Sequence, residues 1–167
     1  MKAVEDGLIK IIPFKTENLN PCSVDLTLSS EFTFFNKKQT IDPKDLDAGR
    51  AMHAVDTKGE AIQLKPGQFV LAKTVERIAI SKDIAATLEG RSGVARLGIV
   101  VHAAGLVNPG SGMSKPVPLV LEVFCQNASP VKLYPSTKIV QIIFHRLSSP
   151  ARRGYDEIQT SRFVGQD

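Results

Sequence analysis

Tryptophan is absent from the 167 residues, and aromatic residues make up only 6% of the chain. So few flat rings leave little for the stacking platforms that bind single-stranded nucleic acid. There are two cysteines, Cys22 and Cys125, too few for a disulfide framework; both read as reduced thiols of a cytoplasmic protein. The three histidines, His53, His102 and His145, lie far apart, and no His-Glu-x-x-His occurs. Two distant cysteines with no third ligand in sight argue against a zinc site. Pro21-Cys22 has half of a zinc-deaminase signature but lacks the Cys-x-x-Cys and the His-x-Glu. Phosphate loops of the Gly-x-x-x-x-Gly-Lys and Gly-x-Gly-x-x-Gly types are missing, as is a Gly-x-Ser-x-Gly elbow. The apolar stretch Leu97 to Val107 falls well short of the ~18 residues of a membrane span. Met1 to Asp6 has no apolar signal-peptide core, so secretion and membrane insertion are not expected. Neither charge sign dominates: 21 Lys and Arg against 17 Asp and Glu give +4, a mild and unclustered excess that suits a small polyanion better than a nucleic-acid coat.

What is present is a core and many short strands. At 43% hydrophobic and 23% charged, the chain has the make-up of a single globular domain over 1–167. Period-two or β-branched runs occur at Leu8-Ile12, Ser23-Leu28, Glu31-Phe35, Gln68-Ile80, Pro118-Phe124, Val131-Tyr134 and Lys138-Leu147. Turn clusters separate them, among them Lys65-Pro-Gly67, Asn108-Pro-Gly-Ser-Gly112 and Pro135-Ser136. This spacing predicts a mostly β, antiparallel sandwich or barrel. Helix is predicted only at Lys2 to Gly7 and at Ser92 to Gly98, the latter with Ser92 as N-cap and Gly98 just past the end. Residues 37 to 60 read as a polar excursion with a turn near Pro43 to Leu46, and the tail after Pro150 is too polar to fold alone.

Four segments could carry chemistry. Leu88-Glu-Gly-Arg-Ser-Gly-Val-Ala-Arg-Leu-Gly98 combines a helix start, a hydroxyl and two guanidinium groups. That is either an anion-binding corner or a solvated, capped surface helix. In Leu119-Val-Leu-Glu-Val-Phe124, Glu122 is a lone carboxylate sharing a strand face with Val120 and Phe124. It either points to solvent or serves as a general acid and base whose pKa is raised by partial burial. His102 to Gly110 is a small-residue stretch where backbone can approach a planar ligand, or an ordinary strand and turn. Asp25, in the polar phase of Ser23 to Leu28, reads as an outward-facing side chain.

Taken in order, these segments resemble the dCTP deaminase family of the dUTPase-like superfamily. Asn20-Pro-Cys-Ser-Val-Asp-Leu-Thr-Leu28 resembles the family's Ser-x-Asp-Leu strand, and Leu64-Lys-Pro-Gly-Gln-Phe-Val-Leu-Ala72 its Pro-Gly strand entry. Glu89 to Gly98 is similar to the specific Gly-Arg-Ser-Ser-x-Ala-Arg-Leu-Gly hallmark. Val101 to Gly110 resembles His-x-Thr-Ala-Gly-x-Ile-Asp-Pro-Gly less one residue; Leu119 to Glu122 is similar to the strand of the catalytic glutamate. Lys138 to Phe144 resembles Ile-Gly-Gln-Leu-x-Phe, and Ser161 to Gln166 the Lys-Tyr-x-Gly-Gln tail.

The resemblance implies a distorted β-jelly-roll, or β-clip, with one or two short helices. It implies a homotrimer with nucleotide sites between subunits, and a tail, 150–167, folding over the nucleotide as a lid. The implied reaction is zinc-independent hydrolysis of dCTP to dUTP and ammonia, with Mg²⁺ carried by the triphosphate and no protein metal ligands. Glu122 would then move the protons, Ser92 hold the water or the amine, and Arg96 orient Glu122. The Ala104 carbonyl would fix the water; Arg91, the helix-turn N–H groups around Gly93, and Arg162 would grip phosphate. Asn108 would lie near the sugar, Gln141 near the triphosphate, and Tyr155 and Gln166 at phosphate or base.

Departures from the family pattern fall around the base pocket. Asn108 stands where relatives carry the Asp that activates water for attack on the phosphate chain, and an amide cannot take that proton. Gly93 replaces the second Ser, Ala103 or Ala104 a Thr that shapes the pyrimidine pocket and feedback by dTTP, and Ser111 to Pro118 is longer than usual. Two alternatives therefore accompany the deaminase: a dUTP diphosphatase or bifunctional enzyme, against which Asn108 argues, and a nucleotide-binding trimer without chemistry.

Overall fold

A computed structural model describes residues 2–36, 40–42, 44, 52–102 and 104–158. The chain opens with one helical turn, α1 (Lys2–Glu5), then β1 (Ile9–Ile12) and a 3₁₀ turn at Thr16–Asn18. Strands β2 (Val24–Phe35), β3 (Met52–Asp56), β4 (Ile62–Leu64), β5 (Phe69–Ile80) and β6 (Ile84–Gly90) lead to a second short helix, α2 (Ser92–Ala95). Strands β7 (Ile99–His102), β8 (Leu106–Val107), β9 (Val117–Cys125), β10 (Val131–Leu133) and β11 (Lys138–Arg146) come next, and a 3₁₀ turn at Tyr155–Glu157 comes last.

All strand pairings among the described residues are antiparallel. One sheet runs β7-β9-β5-β2-β11-β6-β8, with β1 also on β5 and β3 also on β2; β10 and β4 form a separate pair. The two runs around Ser29 and Ser30 are one strand. The first part of β2 pairs with β11, and the later part with β5 and β3, across a bulge between Leu28 and Phe32. The sheet's two end strands, β7 and β8, are separated by residues 103–105 alone. At ~3.5 Å per residue that link spans about 14 Å at most, so the long sheet must curl until its edges nearly meet. The result is the antiparallel barrel-like architecture that the strand spacing implied. We call the line where β6 faces β7 the seam.

The period-two pattern places the core. Leu26, Leu28 and Phe32 on β2, Val70 and Ala72 on β5, Leu121 and Val123 on β9, and Ile139, Val140 and Ile142 on β11 are all buried. The same phase along β5 carries Thr74 and Glu76 inward, and Glu76 is only 2% exposed. Its carboxylate accepts Thr27 N–H at 2.7 Å and the Thr27 hydroxyl at 2.6 Å. Thr74 Oγ1 donates to the Glu76 carbonyl at 2.7 Å and accepts Leu119 N–H at 2.9 Å. These bonds join β2, β5 and β9 where the ladders are interrupted, answering polar groups that would otherwise be buried unsatisfied.

The excursion at 37–60 contains β3, whose residues are largely exposed. Within the expected turn near Pro43 to Leu46, Pro43, Asp45 and Leu46 lie outside the described residues, as does the tail from 159 onward, including Arg162 and Gln166. Ser92 is the first residue of α2 rather than its cap: the cap position belongs to Arg91, which makes no side-chain cap bond. Gly98 does take the left-handed conformation, at φ +73°, and a Cβ there would lie 2.8 Å from Asn127. No helix among the described residues is long and apolar enough to cross a membrane.

Candidate active site

Four of the residues singled out from the sequence lie at or near the seam, Ser92, Gly93 and Arg96 in the turn from β6 to β7 and Glu122 on the neighbouring strand β9. β6 ends at Gly90, α2 turns the chain, and β7 leaves at Ile99, so Ser92, Gly93 and Arg96 stand exposed at one end of the seam. Backbone bonds fasten that end to the close of β9: Gln126 N–H donates to the Gly98 carbonyl at 2.8 Å. The Asn127 amide donates to the Leu97 carbonyl at 3.0 Å. The register pairs Ile99 with Cys125 and His102 with Glu122. Glu122 therefore sits three residues, about 10 Å, beyond the row at which β7 begins.

On β9 the alternation buries Leu121, Val123 and Cys125 and turns Val120, Glu122 and Phe124 away from the core. Glu122 is not left in open water, because its Oε2 is shut off from solvent. It lies in a cross-strand row with Leu71 of β5 and His102 of β7. The next row pairs Phe69 with Phe124, and Phe69 packs against Phe35 with ring centroids 5.5 Å apart. Phe69, Val120 and Phe124 are 40%, 38% and 37% exposed, an apolar surround for one carboxylate. An open cleft of about 670 Å³ is lined by residues including Ser29, Glu31, Lys73, Arg77 and Ser136. Lys73 and Glu31 form an ion pair in its wall at 2.9 Å; Glu122, Ser92, Arg96 and Asn108 do not line it.

A second cluster holds Arg91 and Gln141, and it corrects the reading of Asp25. That side chain does not point to solvent: it is 4% exposed and is covered by two cations. Arg91 Nε lies 3.1 Å from Oδ1, and Lys138 Nζ lies 3.4 Å from Oδ2. Arg91 Nη1 also donates to the Lys138 carbonyl at 3.2 Å, and Lys138 Nζ to the Glu17 carbonyl at 3.0 Å. Gln141 accepts the Ser23 hydroxyl at 2.8 Å and reaches the Gly90 carbonyl at 3.5 Å. The guanidinium expected to grip phosphate is thus already engaged by a buried carboxylate, and the cluster carries one net positive charge at the foot of α2. Lys138 was not singled out from the sequence. Its signal was its place three residues before Gln141, the register that sets both beside Asp25 on β2.

A third group lies where the chain leaves β8. Asn108 is half-buried, with its carbonyl accepting Ser111 N–H at 3.1 Å. Tyr155 is brought to the same loop by its N–H, which donates to the Pro109 carbonyl at 2.8 Å. Ala104 is exposed, and its carbonyl accepts Leu106 N–H at 2.8 Å, leaving a lone pair for a further donor. Among the described residues no three His, Cys, Asp or Glu side chains converge as metal ligands.

A sequence profile described as dCTP deaminase-like matches residues 1–147. The chain is 39% identical to a "dCTP deaminase, dUMP-forming" of Tropheryma whipplei, covering 98% of this chain and 84% of that protein. It is 44% identical to the protein of the same description from Methanopyrus kandleri, covering 93% and 83%. Among solved structures, the 2'-deoxycytidine 5'-triphosphate deaminase of Agrobacterium tumefaciens superposes with TM-score 0.65 at 20% identity. That likeness covers 87% of this chain and 46% of that one, so this chain spans about half of its length. The dUTPase of Staphylococcus bacteriophage 80alpha superposes with TM-score 0.52 at 12% identity over 95% of both chains. These structural likenesses bear on the fold, which is the dUTPase-like one.

Proposed function

The chain belongs to the dCTP deaminase-like family, and from that premise we propose that it hydrolyses the exocyclic amine of dCTP, with Glu122 as its general acid and base. The observation that carries the assignment is the setting of Glu122: a carboxylate with one oxygen removed from solvent, on a strand face otherwise apolar, in a row with His102. Water attacking C4 of cytosine gives up both its protons in turn: the first goes to N3, and the second, from the C4 hydroxyl of the tetrahedral intermediate, goes to the amine, which departs as ammonia while the C4 carbonyl forms. A single carboxylate beside the ring can perform all of these transfers in turn. Ser92 holds the water or the leaving amine by hydrogen bond. Arg96 balances and orients the carboxylate, and the Ala104 carbonyl fixes the water by its remaining lone pair. Mg²⁺ enters as part of the substrate, on the triphosphate, whose charge is met by the cluster around Arg91 and Lys138 and by Gln141.

Glu122 pairs with His102, three residues or about 10 Å along β7 from Ile99, where the chain leaves the turn that carries Ser92 and Arg96, and the face around Glu122 exposes Phe69, Val120 and Phe124. Both facts favour an assembly, a homotrimer in this reading, in which α2 of one copy completes the site of the next.

The product admits two readings. The amide at Asn108 cannot activate water toward the phosphate chain, which favours release of dUTP. The relatives' description as dUMP-forming favours continuation to dUMP and pyrophosphate. One assay separates them: incubation with dCTP and Mg²⁺, with ammonia, dUTP, dUMP and pyrophosphate measured together. Ammonia release that is lost in Glu122→Gln is the expected result, and no ammonia from the wild type overturns the proposal. Binding of dCTP without turnover would leave the nucleotide-binding module in its place.

A further inference from the structure

The segment after β11 does not hang from the barrel but is pinned to the loop beyond Asn108. Ala151 N–H donates to the Lys82 carbonyl at 2.9 Å, and Lys82 Nζ pairs with Glu157 Oε1 at 2.6 Å. Glu157 Oε2 in turn accepts Gly154 N–H at 3.1 Å. Gly110 and Gly154 approach so closely that a Cβ on Gly110 would lie 2.5 Å from the Gly154 Cα. Two residues further, Asp156 spends both carboxylate oxygens on the loop's backbone: Gly112 N–H donates to Oδ1 at 3.2 Å and Ser114 N–H to Oδ2 at 3.0 Å. On its inner side the same loop is bonded to the end of β5 and to Ser81 just past it. Ile80 N–H donates to the Ser111 carbonyl at 2.9 Å, and Gly110 N–H to the Ser81 carbonyl at 3.3 Å.

We infer that Asp156 is a positioning residue for nucleotide binding: its two bonds to Gly112 and Ser114 lock the Asn108 loop and Tyr155 into one preset unit. The inference rests on the deaminase reading, in which Asn108 faces the sugar and Tyr155 the phosphate or base. Bonds from backbone N–H groups to a carboxylate are charge-assisted and fix the path of a loop without regard to its side chains. A loop already ordered does not have to be ordered by the ligand, so the lock acts on affinity and not on the chemical step.

The test is Asp156→Ala alongside Asp156→Asn. With dCTP as substrate, Asp156→Ala raises KM about tenfold and leaves kcat within about twofold. Asp156→Asn keeps an acceptor for one N–H but sets an amide donor against the other, and falls between. Amide hydrogen exchange in nucleotide-free protein accelerates at Gly112 and Ser114 in both variants while β5 and β9 keep their protection. A folded Asp156→Ala protein with wild-type KM overturns the inference, as does unchanged exchange at both amides. Wild-type protein that releases no ammonia overturns the deaminase reading and this inference with it. The two failures are thus told apart by whether the wild type turns over.

Discussion

Asp25 and Glu122 are carboxylates on strands of the same curled sheet, and the fold treats them in opposite ways. Asp25 is covered by Arg91 and Lys138 from its own chain, with each oxygen facing a cation. Glu122 stands among Leu71, Val120 and Phe124, on a surface whose apolar side chains are more than a third exposed at Phe69, Val120 and Phe124. A single chain completes the first region. The second has the character of a surface that another surface or a ligand completes. On the proposed function the first carboxylate serves the fold and the second the chemistry, and substitutions should separate the two.

The largest effect is expected at Glu122. Glu122→Gln keeps shape and hydrogen-bonding capacity but cannot shuttle protons, so ammonia release from dCTP falls by about 10³-fold. Calorimetric affinity for dCTP changes less than about threefold, and the urea midpoint stays put. Asp25→Ala should act first on stability, with activity changed only through the two phosphate-facing cations that it releases. It leaves two cations facing each other over the space of a buried anion and costs about 3 kcal/mol in urea unfolding, near the low end for a broken buried pair because both cations are about one-third exposed. A loss of activity in Asp25→Ala without a loss of stability would erase the contrast. Phe124→Ser tests the apolar surround: the dissociation constant of the proposed assembly, by sedimentation, rises about tenfold, while the circular dichroism of each chain is unchanged; a wild-type protein that sediments as a monomer removes the assembly.

The smallest effect concerns the tether of the last 3₁₀ turn. Lys82 foremost, and then Gly154 N–H, hold the Glu157 carboxyl below the ordinary glutamate value of 4.5. A depressed folded value means that the tether contributes fully above 4.5 and is lost as pH falls through that lower value. It is therefore constant through neutral pH. In Lys82→Met, the carboxyl titration of Glu157 followed by ¹³C NMR moves upward; no movement would detach Lys82 from this role.

The β architecture was legible because alternation and turn residues report burial directly, as in β2, β5, β9 and β11. Glu122 was legible for the same reason, as the one charge in an apolar strand. Glu76 could have been found by extending the inward phase of Val70, Ala72 and Thr74 by one step. Asp25 could not be found on its own strand. It is buried by long side chains from α2's cap position and from β11, distant in sequence, and local pattern carries no trace of them. The strands β3, β4, β6 and β7 were missed: β3 and β4 are short, and β6 and β7 flank the Gly-bearing turn at α2; β8 lies in the His102 to Gly110 stretch, where a strand and turn is one of the two readings. The docking of Tyr155 and Asp156 is invisible for another reason: it runs through backbone N–H and C=O groups, which nearly every residue has.

β2 is a common beam in both walls of the barrel, bonded to β11 along its first part and to β5 and β3 along its second. No crossover point exists at which one wall could be swapped for that of a homologue without a cut inside this strand. Chimeras joined in the loops would inherit mismatched halves of a single part, so the two walls have to be exchanged together.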